Sequence, residues 1–273
     1  MRSGAAIEAE ALWYIGAARA ELRRETLRPL GAGEAQVRTV VSGVSRGTER
    51  LIASGRVPKG EFETMRAPFQ AGDFPFPVKY GYQAVGIVED GPAALVGRAV
   101  FSLHPHQDRF VLPAAALTPL PVGLPPARAA LAANMETALN AVWDSGAGPG
   151  DRIVVVGGGV VGLMVLALSC RLPGAEVTLV DIDPARAALA RGFGATFALP
   201  EAVPQEADVV FHASASAEGL ATAIAAAGME ARIVELSWYG EGQVTVPLGG
   251  RFHSRRLSLI ASQVGRVSAS RRP

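Results

Sequence analysis

The chain has 273 residues, of which 49% are hydrophobic, and its formal net charge is +1. This length suits about two domains, and the near-neutral charge gives no reason to expect a nucleic acid as a partner. The single cysteine, Cys170, excludes an intramolecular disulfide and a metal site built from several cysteines. Residues 1–20 contain Glu8 and Glu10 and lack a long apolar run, so we expect no secretory signal, no membrane partner and a cytoplasmic location.

The N-terminal part of the chain predicts a compact, mostly β domain. Short β-like runs predict strands at residues 11–15, 20–25, 35–41 and 81–89. Residues 97–103 and 108–112 are interpreted as a strand pair joined across His104-Pro105-His106. The polar stretch 42–49 is interpreted as a turn, and residues 50–80, which contain four prolines, as irregular.

The remainder predicts a second domain of the α/β class. A proline-rich connector around residues 118–126 marks the boundary, which gives domains at 1–121 and 122–273. Apolar periodicity predicts helices at 127–143, 184–191 and 217–227, and strands at 152–156, 176–180, 208–211, 232–236 and 257–261. This alternation predicts a doubly wound parallel sheet, as in Rossmann domains.

A glycine motif follows the first strand of this second domain. The β-branched run 153–156 predicts a strand buried on both faces, and it leads into Gly157, Gly159 and Gly162 in the spacing G-x-G-x-x-G. The first glycine allows a tight turn, the second lets a pyrophosphate approach the backbone, and the third lets the helix pack close to the strand. The free amide groups at the start of that helix, at Val160 and Val161, then face the phosphates. The alternative is a glycine-rich turn in an unrelated α/β domain.

Asp181 stands at the end of the next predicted strand, about 20 residues after the glycine turn. An acid there binds the ribose 2′-hydroxyl of NAD and repels the 2′-phosphate of NADP. We therefore predict NAD as the cofactor, with NADP as the less favoured alternative.

Four segments in order resemble the medium-chain dehydrogenase/reductase superfamily over nearly the whole chain. They are Ser-Gly-Val-Ser-Arg-Gly-Thr-Glu at 42–49, Gly-Tyr-Gln-Ala-Val-Gly-Ile-Val-Glu at 81–89, Asn-Met-Glu-Thr-Ala at 134–138, and the glycine turn with Val180-Asp181. The resemblance implies a GroES-like N-terminal domain, a Rossmann domain, a small-molecule substrate and a homodimer. Family members continue past the last sheet strand and return into the first domain, so we expect part of the cleft wall to be missing from a chain that stops at Pro273.

The chain departs from the zinc-dependent members of that family. These members place a cysteine where Ser45 stands, a histidine where Tyr82 stands, and a third ligand near Ala133. None of these residues supplies the thiolate or imidazole ligands of a catalytic zinc, and the four-cysteine structural zinc loop is also missing. We therefore predict that the protein binds no zinc.

Catalysis without zinc requires another group to stabilise or protonate a developing oxyanion. Tyr82 is the first candidate because it matches a zinc-ligand position; the alternative is a tyrosine packed in the β domain. Thr48 and Ser45 are candidates for a proton relay, or else they only form the turn. His106 is a candidate general acid, or an exposed loop histidine.

Three cofactor contacts are expected outside the glycine turn, and the resemblance implies two of them. Arg46 matches a position that contacts the pyrophosphate, or else is a surface arginine, and Thr137 matches a position beside the nicotinamide, or else is a helix residue bonded to its own backbone. Ser237 follows a strand at its C-terminal end, where ligands gather in such sheets.

The leading hypothesis is a zinc-independent NAD(P)(H)-dependent oxidoreductase that acts on an alcohol, a carbonyl or an activated alkene. A non-catalytic dinucleotide-binding redox sensor is the second hypothesis, and a dehydrogenase of pigment or secondary metabolism is the third.

Overall fold

The computed structural model describes residues 6–265, Val267 and Arg271. The chain divides into two compact units, Met1–Ala133 and Asn134–Pro273. Residues 122–133 are therefore grouped with the first unit rather than with the second domain expected for them. No helix among the described residues is both long and apolar enough to cross a membrane.

The first unit is mostly β, as expected. Its strands are β1 (Glu8–Gly16), β2 (Arg19–Thr26), β3 (Glu34–Ser42), β4 (Ala71–Gly72), β5 (Val78–Lys79), β6 (Ala84–Asp90), β7 (Ala99–Ser102), β8 (Arg109–Pro113) and β9 (Thr118–Pro119). Its helices are α1 (Arg46–Ala53) and α2 (Pro126–Ala129), with single 3-10 turns at Lys59–Glu61 and Ala114–Ala116.

These strands form two sheets in the described part of the chain, in the orders β2-β1-β5-β4 and β8-β3-β6-β7-β9. The expected pairing of 97–103 with 108–112 is wrong, because β7 pairs with β6 and β9 while β8 pairs with β3. The stretch between these strands therefore connects the inner strand β7 to the edge strand β8, with β6 and β3 between them, and is not a hairpin turn.

The polar stretch 42–49 is also more ordered than expected, because residues 46–53 form helix α1 rather than a turn. Ser45 occupies the N-cap position, and the Glu49 carboxylate reaches back to accept the Ser45 backbone amide at 2.7 Å. This bond pairs the Ser45 amide, while the Ser45 side chain makes no capping hydrogen bond to the first turn of the helix. Leu51 and Ile52 then bury the inner face of the helix.

The second unit has the expected alternation of strands and helices. Its strands are β10 (Arg152–Val156), β11 (Glu176–Val180), β12 (Thr196–Ala198), β13 (Ala207–His212), β14 (Ala227–Glu235) and β15 (Ser258–Ala261). Its helices are α3 (Ala132–Ser145, which begins just before the boundary), α4 (Val160–Ser169), α5 (Arg186–Phe193) and α6 (Ala217–Ala226), with single turns at Pro200–Ala202 and Leu248–Phe252.

The described strands of this unit form one six-stranded sheet in the order β12-β11-β10-β13-β14-β15, and every pair is parallel. Strand β10 is an inner strand, and its residues alternate between two hydrophobic cores. Ile153 and Val155 join the core that contains residues of α4, whereas Val154 and Val156 join the core that contains residues of α6. The predicted strand buried on both faces is therefore confirmed, and so is the doubly wound sheet.

Candidate functional site

Each unit carries its own group of candidate site residues. In the first unit, the four residues that the sequence analysis selected for catalysis, namely Ser45, Thr48, Tyr82 and His106, surround Glu49. Glu49 is not among the site residues predicted from the sequence, and it is only 3% exposed.

Glu49 is the centre of a buried hydrogen-bond network. Its carboxylate accepts the hydroxyl of Tyr14 at 2.8 Å and the backbone amide of Ser45 at 2.7 Å, and it lies 2.8 Å from Nε2 of His106. The other ring nitrogen of His106 lies 2.8 Å from the Ser42 hydroxyl. Because a buried carboxylate is costly without partners, these donors explain how Glu49 is tolerated in the core.

His106 is therefore not the exposed loop histidine that the sequence left open as an alternative, since it is buried and held at both ring nitrogens. Its neighbour His104 is also buried, and its ring stacks on Phe110 with 3.8 Å between the ring centroids. Burial lowers the pKa of His104 to about 4, so this ring is neutral at neutral pH.

Tyr82 lies beside this network and is hydrogen-bonded to Ser45 and to Thr48. Burial raises the pKa of its phenol, and the bonds to Ser45 and Thr48 act in the opposite direction. The phenol therefore stays protonated at neutral pH and acts as a hydrogen-bond donor rather than as a base. Its ring also contacts Tyr80 edge-on, with 6.0 Å between the centroids.

This cluster does not fit a zinc ion. The cluster has two side chains of types that bind metals, Glu49 and His106, and these are hydrogen-bonded to each other. The side chains of Ser45 and Tyr82 offer only neutral hydroxyl groups. Among the described residues, no group of three or more His, Cys, Asp or Glu side chains is placed to hold a metal ion. A catalytic zinc takes three protein ligands of these types.

In the second unit, the glycine turn has the geometry that its spacing predicts. Gly157 has φ +105°, and a Cβ built on it would stand 2.8 Å from backbone atoms of residues 213 and 214. A Cβ on Gly162 would stand only 1.9 Å from the carbonyl oxygen of Gly157, so only glycine lets the helix start this close to the turn. A Cβ on Gly159 would meet no atom within 4 Å.

The space in front of Gly159 is therefore open, and α4 begins there. Gly159 is its N-cap, and Val160 and Val161 form its first turn, where backbone amide groups have no acceptor within the helix. Val160 is exposed. A dinucleotide pyrophosphate fits this cradle, because the turn presents amide groups, the positive end of a helix and no side chain.

Asp181 is tied to the glycine turn. One carboxylate oxygen accepts the Gly158 amide at 2.5 Å, and the other accepts the Asp183 amide at 2.8 Å. Arg186, at the start of α5, lies on the same side, since its Cγ would be 3.2 Å from a Cβ on Gly158. The acid is therefore placed beside the turn, as its position in the sequence predicts, and it also has a structural task.

The three remaining cofactor candidates are distributed over both units. Arg46 is the exposed first residue of α1 in the first unit, and Thr137 lies within α3. Ser237 follows β14, where its hydroxyl accepts the Ala215 amide at 3.0 Å and its own amide donates to Glu235 at 2.7 Å. The cofactor contacts of all three stay predictions.

The fold is shared with solved dehydrogenases, although no family model matches the chain. L-idonate 5-dehydrogenase from Escherichia coli K-12 has a TM-score of 0.79 at 15% identity, with 97% of this chain and 85% of that chain covered. A protein from Sinorhizobium meliloti 1021, described as a zinc-binding dehydrogenase and bound to NADP, has a TM-score of 0.76 at 20% identity, with 94% and 84% covered. An alcohol dehydrogenase from Escherichia coli CFT073 with NADH has a TM-score of 0.74 at 16% identity, with 94% and 84% covered. The chain therefore has the fold of the medium-chain dehydrogenases, a GroES-like β domain followed by a Rossmann domain.

Proposed function

We propose that the chain is a medium-chain dehydrogenase/reductase that transfers a hydride between a nicotinamide dinucleotide and an alcohol, a carbonyl or an activated alkene, without zinc. The observation that carries the proposal is the glycine turn after β10, with open space in front of Gly159 and side-chain-free access to the start of α4. Two solved dehydrogenases that share the fold contain NADP or NADH, which supports a nicotinamide dinucleotide as the cofactor.

The dinucleotide pyrophosphate binds at the amide groups of Val160 and Val161, where the helix dipole favours negative charge. The Asp181 carboxylate accepts a hydrogen bond from the ribose 2′-hydroxyl, which favours NAD. Arg46 and Thr137 supply the further cofactor contacts that the resemblance implies, and Ser237 supplies one from the C-terminal end of β14.

When bound, the nicotinamide supplies the hydride chemistry, and the protein supplies position and a hydrogen-bond donor. We assign that donor to Tyr82, because its raised pKa keeps the phenol protonated while a substrate oxygen gains negative charge. Ser45 and Thr48 orient the phenol and form the route for a proton. Glu49 and His106 stand behind them and fix the start of α1.

The first experiment is a fluorescence titration of the full chain with NADH and with NADPH. We expect NADH to bind more tightly, and an Asp181→Asn variant to lose most of that preference, because the amide keeps an acceptor oxygen but lacks the charge that repels a 2′-phosphate. Failure of both nucleotides to bind would refute the cofactor assignment. Tighter binding of NADPH by the unaltered chain would refute the role of Asp181 and would point to Arg186 as the selecting residue.

The second experiment separates an enzyme from a sensor and tests the metal. NADH is incubated with a panel of carbonyls, quinones and enones, and its oxidation is followed by absorbance. A sensor binds NADH and never oxidises it, whereas an enzyme turns over at least one class. Metal analysis of the same preparation should find no stoichiometric zinc; one zinc per chain would overturn the metal-free mechanism. Light scattering of that preparation tests the homodimer.

A further inference from the structure

A second set of polar groups lies at the carboxyl ends of β13 and β14. These parallel strands place His212 and Glu235 in register, so both side chains leave the sheet at the same edge. His212 is fully buried, and its Nδ1 lies 2.8 Å from a carboxylate oxygen of Glu235. The proposed dehydrogenase mechanism uses neither residue.

The hydrogen bonds around Glu235 determine which nitrogen of His212 carries the proton. The carboxylate accepts the Ser237 amide at 2.7 Å and the Tyr239 hydroxyl at 3.2 Å. Burial acts to raise the pKa of Glu235, but the bonds from His212 and Ser237 outweigh it and the pKa is lowered. Because an ionised carboxylate only accepts hydrogen bonds, Nδ1 of His212 is the donor, and Nε2 is an acceptor whenever the ring carries a single proton.

The hydrogen-bond partner of Nε2 is the hydroxyl group of Ser214. Its hydroxyl lies 2.7 Å from Nε2 of His212, and the residue is exposed. It stands in a tight connection between β13 and α6, in which Ala215 has a φ of +55°. Such a conformation is strained for a residue other than glycine and is concentrated at functional sites.

The start of α6 is shaped around this serine. A Cβ on Gly219 would stand 2.0 Å from the Ser214 hydroxyl oxygen and 2.8 Å from Nε2 of His212, so the missing side chain makes room for both. The Ser216 hydroxyl accepts the Gly219 amide at 3.0 Å and lies 3.1 Å from the Ser214 hydroxyl. The first amide groups of a helix have no acceptor within it, and α6 presents such groups beside the serine.

We propose that Ser214 is an activated nucleophile for acyl transfer, with His212 as its general base and Glu235 as the positioning residue, and that the site hydrolyses small carboxylic esters. A serine, an imidazole and a carboxylate bonded in this order form the arrangement that unrelated hydrolases share. The proposal involves only the second unit and uses none of the residues assigned to the dinucleotide, although Ser214 adjoins the glycine turn, with its backbone nitrogen 2.8 Å from a Cβ built on Gly157.

The step balances without any additional reagent. The Ser214 oxygen forms a bond to the ester carbonyl carbon, and its proton passes to Nε2 of His212. The carbon–oxygen bond to the leaving alcohol then breaks, and that alcohol takes the proton from His212. Water repeats the sequence on the acyl-serine, which releases the carboxylic acid and restores the hydroxyl. The amide groups of Ala217 and Glu218 are the donors that we assign to the oxyanion.

The test uses a fluorophosphonate probe and p-nitrophenyl acetate on the full chain. We expect peptide mass spectrometry to find the phosphonyl group on Ser214, and Ser214→Ala to abolish both labelling and ester hydrolysis. Ser258→Ala, which removes an exposed serine hydroxyl in the same unit, serves as the control and should label and hydrolyse like the unaltered chain. A folded chain that does not label, or that labels at another residue, would overturn the proposal.

Two further variants test the activation rather than the presence of the serine. Glu235→Gln should lower kcat for p-nitrophenyl acetate by about 100-fold or more with KM nearly unchanged, because the carboxylate orients and stabilises the imidazole. Gly219→Ala should remove labelling by displacing the hydroxyl, whereas Gly192→Ala, whose Cβ meets no atom within 4 Å, should not. Undiminished rates in Glu235→Gln, with circular dichroism confirming the fold, would overturn the role of Glu235 and with it the proposed activation of Ser214.

Discussion

Two alanine substitutions separate the folding role of the glycine turn from its nucleotide role. A Cβ on Gly162 would stand 1.9 Å from the Gly157 carbonyl oxygen, so the turn or α4 must move by more than about 1 Å to restore ordinary contact. We expect Gly162→Ala to lower the free energy of unfolding by about 3 kcal/mol, at the upper end of overpacking costs. Nucleotide binding should fall with it, because the helix start is displaced.

Gly159→Ala should behave in the opposite way. Its Cβ would meet no protein atom within 4 Å, and its φ of −72° is ordinary for alanine. We expect the free energy of unfolding to change by less than about 1 kcal/mol. A methyl group nevertheless fills the space through which the pyrophosphate approaches, so the Kd for NADH should rise at least about 10-fold, or 1.4 kcal/mol.

Urea unfolding and NADH fluorescence titration on both variants measure the two quantities. Wild-type affinity in Gly159→Ala would show that the nucleotide does not rest on this turn. Wild-type stability in Gly162→Ala would show that the close approach of α4 to the turn is not required. Gly159→Ala tests nucleotide binding without a loss of stability. Its result can therefore be interpreted even if Gly162→Ala fails to fold.

Three further predictions concern the first unit. The pKa of His104 falls from 6.5 in the unfolded chain to about 4 in the folded chain. The free energy of unfolding should therefore decrease by about 3 kcal/mol as the pH falls from 6.5 to 4. His104→Phe should remove most of this pH dependence, as measured by urea unfolding at several pH values. Glu49→Gln should lower the free energy of unfolding by about 2 kcal/mol in the same assay, because the new amide faces donors from Tyr14 and Ser45; an unchanged value would contradict the buried network. Tyr82→Phe should reduce turnover of any accepted carbonyl by about 10- to 100-fold and leave NADH binding unchanged, and full turnover would exclude Tyr82 as the donor.

The sequence predicted the second unit better than the first because its signals are local. The strand at 152–156, the three glycines and Asp181 lie within a short segment, and each role follows from its spacing. In the first unit, strand pairing depends on partners far apart in sequence, such as Val37 of β3 with Phe110 of β8. Adjacency along the chain therefore suggested a hairpin that does not exist.

The side-chain pairs of the candidate sites are also hard to predict, because their members lie far apart in the sequence. Glu49 and His106 are 57 positions apart, and His212 and Glu235 are 23 apart, so no short motif marks either pair. Helix α1 was predictable in principle, because Ser45 and Glu49 have nearly the spacing of a capping arrangement and are followed by Leu51 and Ile52. The many polar residues of that stretch nevertheless favour a turn over a helix.

The double engagement of Asp181 matters to anyone who wishes to re-engineer coenzyme choice in this protein. The carboxylate proposed to distinguish NAD from NADP at the ribose also holds residues 157–159 in place, because it accepts a hydrogen bond from the Gly158 amide. A small apolar residue at this position would remove both the hydrogen bond to the Gly158 amide and the selectivity between the two coenzymes. Weak affinity for either coenzyme would follow. Successful redesign must retain an oxygen at this position and introduce the new selectivity from a neighbouring side chain.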